Sequence, residues 1–154
     1  MSRYKKFIYI IYEAAFLLDR LIDQILQKEM SLSFAEYRVL MALDNHQDVP
    51  QRYIALYWNI TEAAISRHVE GLVKMGYISR LIDETNRRQN LLSLTPFGKK
   101  QLEKADRYVD EVFENVLEKR HKDKKEEVIK ALNTFAEIIH PLTSVVDQKS
   151  KTKS

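Results

Sequence analysis

Apolar residues along the first thirty positions recur at alternating four- and three-residue steps: Phe7, Ile11, Ala14, Leu18, Leu21 and Ile25 form one stripe, widened by Ile8, Ala15 and Ile22. That spacing predicts a helix from Arg3 to about Glu29, with a stripe wide enough to touch its own domain and a second subunit at once. Ser33-Phe34-Ala35-Glu36 has the form of a capping box, so a second helix starts there and runs through Val39, Leu40 and Leu43 to end near Asn45. Pro50 lies in the first turn of a short third helix carrying Ile54, Leu56 and Tyr57, which Asn59 breaks. Thr61 caps a fourth helix whose buried stripe is Ile65, Val69, Leu72 and Val73, and Gly76 supplies its left-handed stop. The β-prone segments Tyr77 to Ile82 and Leu91 to Leu94 flank a polar loop and read as a hairpin. Thr95-Pro96 opens a long fifth helix through Leu102, Ala105, Val109, Val112, Val116 and Leu117. The pair Asp123 and Glu126 then caps a last helix, in which Pro141 is a candidate kink.

The expected fold is mainly α with a small β-hairpin: a winged helix-turn-helix reader over residues 32–95, flanked by helical dimerisation segments at 1–31 and 96–148. A disordered tail is expected over 149–154. A reader of some sixty residues buries only part of three long apolar stripes, and a second copy of the chain is the simplest cover for the surplus.

Composition narrows the function. Cysteine is absent, which removes disulfides, thiolate metal sites and thiol redox sensing and fits a reducing, cytoplasmic setting. The apolar run from Phe7 to Leu18 is too short to cross a bilayer and is interrupted by Glu13. A net charge of +3 favours a polyanion only weakly, so the location of the charges has to carry the argument.

That location is the fourth helix. Opposite its apolar stripe it exposes Thr61, Glu62, Ala63, Ser66, Arg67 and His68, small or hydrogen-bonding side chains suited to the roughly 12 Å wide major groove of duplex DNA. Glu62 is discordant, since it would repel phosphate unless it pairs with a basic side chain or accepts from a cytosine amino group. Arg87 and Arg88 at the hairpin tip suit the minor groove, while Arg52, Lys74 and Arg80 suit phosphate contacts at the edges.

Three stretches then match a known pattern in order and spacing. They are the run Ile60 through Arg80, with Thr61-Glu62-Ala63-Ala64-Ile65-Ser66-Arg67-His68 at its head, then Asp83 through Arg88, then Leu94-Thr95-Pro96-Phe97-Gly98. Together they resemble the MarR family of winged-helix transcriptional regulators. The resemblance implies a two-fold dimer held by the first helix and the last two, bound to a pseudo-palindromic operator that it represses, with release by a small aromatic ligand. It places Thr61, Ala63, Ser66 and Arg67 in the groove and Arg87, then Arg88, in the wing. The family's wing reads Asp-x-x-Asp-Arg-Arg, and Asn86 replaces the second Asp here, which predicts a weaker internal ion pair.

Tyr53, Tyr57 and Trp58, with Tyr12 and Phe16 from the first helix, read first as core packing; the resemblance alone makes them candidates for a ligand pocket. Glu118-x-x-His121 and Glu137-x-x-His140 share a metal-site spacing, but His140 lies about 27 Å along the helix from His121 at 1.5 Å per residue, so they do not meet. No cofactor, metal or enzymatic chemistry is expected. The alternative to a DNA-binding regulator is a winged-helix scaffold for protein association without DNA specificity.

Overall fold

A computed structural model describes residues 3–86 and 89–151, with side chains over 4–86 and 89–140. Six helices and three short strands follow in the order α1 (Arg3–Met30), α2 (Phe34–Leu43), β1 (Val49–Pro50), α3 (Gln51–Tyr57), α4 (Glu62–Lys74), β2 (Ile78–Ile82), β3 (Asn90–Leu94), α5 (Pro96–Phe113) and α6 (Lys122–Lys151). A π-helical stretch, Glu114–Arg120, continues from α5. The chain divides into two compact units, Met1–Asp110 and Glu111–Ser154.

In the first unit the core forms where stripes from α1, α2, α4 and α5 meet β3. Leu26, Leu32, Leu40, Leu43, Ile65, Val69, Leu72, Leu92 and Ala105 are fully excluded from solvent, and burial of such side chains is the main stabilising term, about 1.5–3 kcal/mol each. Only the C-terminal end of α1 joins this core, through Ile22 and Leu26. Much of the expected stripe nearer its start stays open, including Phe7, Leu18 and Leu21.

The capping box at α2 forms as expected: Ser33 Oγ accepts from the Glu36 amide at 3.2 Å, and Glu36 Oε2 accepts from the Ser33 amide at 2.9 Å. Asp23 of α1 adds a third bond, accepting from the Phe34 amide at 2.8 Å. Tyr37 of α2 donates its hydroxyl to Asp106 Oδ1 of α5 at 2.6 Å. Burial first, and then the hydrogen bond to Asp106 and the charges of Asp106 and Asp110, hold the Tyr37 phenol far above its ordinary range.

The sheet has the order β1-β3-β2, both pairings antiparallel, with Ile78 opposite Leu94, Ile82 opposite Asn90, and Val49 opposite Leu92. The two-residue strand β1 is too short for a periodicity to reveal. It is held by tertiary bonds, since Asp48 sits at φ 53° with its amide donating to Ser93 Oγ at 2.8 Å. Pro50 accordingly ends a strand and occupies the N-cap of α3, one position before the expected first turn.

Gly98 near the start of α5 is forced by space: a Cβ there would lie 1.7 Å from the Tyr77 carbonyl oxygen. Thr95 completes the joint. Its hydroxyl donates to the Gly76 carbonyl at 2.7 Å and accepts from the Gly98 amide at 2.9 Å.

Within the second unit, the helix predicted to continue from α5 through Leu117 changes to π-helical winding at Glu114. The last helix begins at Lys122, so Asp123 lies inside its first turn rather than at the cap. An acidic group there still favours the helix's positive end. Lys125 bonds and ion-pairs with Glu118, which occupies the carboxylate of the first Glu-x-x-His pair. Helix α6 runs through Lys151, past position 149 where the tail was expected to begin, and residues 152–154 lie outside the described residues. Among the described residues no helix is long and apolar enough to cross a membrane.

Candidate nucleic-acid interface

The site is assembled by two turns that fix α4. Asn59 takes a left-handed φ of 50°, closing α3 with the Ile60 amide donating to the Ala55 carbonyl at 3.0 Å. Thr61 is then extended (φ −70°, ψ 150°) and its Oγ1 accepts from the Ala64 amide at 3.1 Å, capping α4. Gly76, at φ 72°, ends the helix, and the Tyr77 amide donates back to the Leu72 carbonyl.

Between these stops the helix divides by face. Ile65, Val69 and Leu72 are buried, and Glu62, Ala63, Arg67, Glu70 and Lys74 are exposed. Among the described residues, Arg52, Arg67, Lys74 and Arg80 form no ion pair, and all four are exposed. Thr61 is exposed too, though one lone pair is committed to the cap. Ser66 and His68 sit at the margin, partly buried, and Ser66 Oγ accepts from Gln51 Nε2 of α3 at 2.9 Å.

The hairpin tip is organised by one carboxylate. Asp83 Oδ1 accepts from the Thr85 hydroxyl at 2.6 Å, the Thr85 amide at 2.8 Å and the Asn86 amide at 3.3 Å. The Asp83 amide donates to the Gln89 carbonyl at 3.0 Å, and the Gln89 amide donates to the Asn86 carbonyl at 2.8 Å. Led by the Thr85 hydroxyl, these donors hold the Asp83 carboxyl below its ordinary range. Arg87 and Arg88, the expected wing contacts, lie outside the described residues.

A cavity of about 690 Å³ opens between the end of α2, β1 and α3, lined among others by Met41, Val49, Tyr53, Ile54, Tyr57 and Trp58. It thus unites the three α3-side aromatics singled out in the sequence. Tyr12 and Phe16 are not among its lining residues; they lie exposed on α1, which reaches the reader's core only through its C-terminal end. The Trp58 indole packs against Tyr57 and under the Arg38 guanidinium, which lies 4.9 Å from its ring centre.

Residues 30–89, spanning these elements, match the family model described as MarR family. This segment matches the MarR family. The likeness of fold extends beyond the matched MarR segment. A MarR-family regulator from Rhodococcus sp. RHA1 is 20% identical at a TM-score of 0.77, covering 92% of this chain and 97% of that one. BldR, a transcriptional regulator from Sulfolobus solfataricus, is 22% identical at 0.72, covering 90% and 100%. CouR, a transcriptional repressor solved on a 23-mer DNA duplex, is 22% identical at 0.67, covering 83% and 90%. No curated protein matches the chain. These three solved neighbours are described as transcriptional regulators or, for CouR, as a transcriptional repressor.

Sequence reasoning missed Gln51 and the contribution of the α2–β1 loop to the cavity. Neither leaves a local signal: Gln51 meets Ser66 across fifteen positions, and the loop lines the cavity only because Asp48 is tied to Ser93.

Proposed function

We propose that this protein is a MarR-family, sequence-specific, duplex-DNA-binding repressor that acts in the cytoplasm as a homodimer on a pseudo-palindromic operator. The observation that carries this reading is the division of α4: with Ile65, Val69 and Leu72 buried, Ala63 and the unpaired Arg67 stand outward on a face slim enough for the major groove. Thr61, Ala63, Ser66 and Arg67 are the groove contacts. Arg52 and Lys74 serve the phosphates, and Arg87 and Arg88 serve the minor groove from the wing. The existence of a DNA complex of CouR supports the same assignment.

The second copy is proposed because α1 leaves Ile8, Tyr9, Tyr12, Phe16 and Leu17 each more than half exposed, an apolar face too extensive for a solitary chain in water. The cavity beside Tyr53, Tyr57 and Trp58 is proposed to take a small aromatic ligand that releases the DNA.

Selection of bound duplexes from a random pool tests the reading. The expected product is an inverted repeat whose half-sites are centred about 34 Å apart, one helical turn, with affinity falling steeply as salt rises. Recovery of no motif, with binding indifferent to salt, would favour the scaffold for protein association.

A further inference from the structure

Ser66 does not reach the proposed groove as a free hydroxyl. Its Oγ accepts from Gln51 Nε2 at 2.9 Å, and the Gln51 Oε1 atom is buried without a hydrogen-bond partner among the described residues. A serine hydroxyl has one proton to give and two lone pairs to receive with. The amide fills one of those lone pairs, and no described group accepts the proton. The opposite orientation of the Gln51 amide would bury N–H donors without partners in place of a single carbonyl oxygen. That is the costlier arrangement, because orphaned buried N–H groups are rarer than under-satisfied carbonyls.

We propose that Gln51, on α3 and away from the exposed face of α4, is a positioning residue that sets the polarity of Ser66. It turns the hydroxyl into a donor towards the DNA, so that the base pair beneath Ser66 is chosen for an acceptor edge. Guanine N7 and O6, adenine N7 and thymine O4 offer one in the major groove, and the cytosine amino group does not. A glutamine that never touches DNA thereby biases one position of the half-site against cytosine. The inference rests on the DNA-binding reading above and adds to it the chemistry of one base contact.

The test repeats the random-pool selection with the full-length protein and with Gln51→Leu, Gln51→Glu, Ser66→Ala and the double variant Gln51→Leu/Ser66→Ala, each first melted to confirm that it folds. The expected wild-type motif contains one acceptor-edge position at which Gln51→Leu and Ser66→Ala each lower the preference by about fivefold, the scale of one net hydrogen bond. The double variant falls no further, and the remaining positions are unchanged. Gln51→Glu, whose carboxylate takes the Ser66 proton, shifts that position towards a donor edge.

A position sensitive to Ser66→Ala but indifferent to Gln51→Leu and Gln51→Glu would overturn the inference while leaving DNA recognition intact. So would an equal loss of affinity for all sequences, which marks Gln51 as packing alone. If the wild type selects no motif, the DNA-binding reading fails and the inference fails with it.

Discussion

Tyr37 shows how much one side chain can hold at the junction of α2 and α5. Its ring is buried, and its hydroxyl gives a 2.6 Å bond to Asp106, the short length typical of a hydroxyl on a carboxylate. In the unfolded chain the phenol ionises near pH 10, and in the folded protein its range is pushed upward by burial and by Asp106. The bond's contribution is therefore complete below pH 10 and is lost as pH rises beyond it, because only the unfolded state gains from releasing the proton. Tyr37→Phe is expected to cost about 1–2 kcal/mol at neutral pH. It should also flatten the decline in urea midpoint between pH 9 and pH 11.5; an unaltered decline would show that other groups govern alkaline unfolding.

At the scale of elements, the described part of the wing is organised by Asp83, whose carboxylate gathers donors from Thr85 and Asn86. Asn86 contributes its backbone, the amide to Asp83 and the carbonyl to Gln89, so asparagine at this position preserves the turn described. Since the Asp83 carboxyl is held low by the Thr85 hydroxyl and amide, its ordering effect is present above the ordinary aspartate range and disappears as pH falls through the depressed value. The amide resonances of Thr85 and Asn86 should therefore titrate with a midpoint below that of a free aspartate. In Asp83→Ala that titration vanishes and affinity for the selected duplex drops several-fold with the preferred sequence retained. A changed sequence preference would mean that the turn reads bases itself.

Much of this architecture was legible in the chain because local chemistry and tertiary position agree. Ser33, Thr61, Asn59 and Gly76 each occupy the cap or stop that their residue types favour, and Ile65, Val69 and Leu72 fall on the buried face that their spacing foretells. What was not legible depends on distant partners. The strand at Val49 exists through Ser93 and Leu92, the polarity of Ser66 through Gln51, and the exclusion of Tyr12 and Phe16 from the cavity through the way α1 engages the core only at its end. The shift to π-helical winding at Glu114 has no marker that periodicity detects.

For the whole molecule, the open face of α1 is the feature with the largest consequence. Ile8 and Phe16 are 65% and 57% exposed, two turns apart on the same helix. Placing carboxylates there, as Ile8→Glu with Phe16→Glu, leaves the reader's core untouched but sets unpaired charge into the proposed subunit interface, at a cost of about 3 kcal/mol or more. Sedimentation equilibrium should then show association weakened by on the order of a hundredfold, with far-UV ellipticity preserved. A wild-type chain that sediments as a monomer would contradict the paired arrangement outright.

The joint at Gly98 bears on how a signal would travel. The end of α4, the first residue before β2 and the opening turn of α5 are knotted together by Thr95, Gly76 and Tyr77, with no room for so much as a methyl group between helix and strand. Tilting α5 must swing α4 and the hairpin as one piece, as a forearm carries a hand with a stiff wrist. Such a lever changes where the two proposed reading elements point without disturbing their spacing from each other.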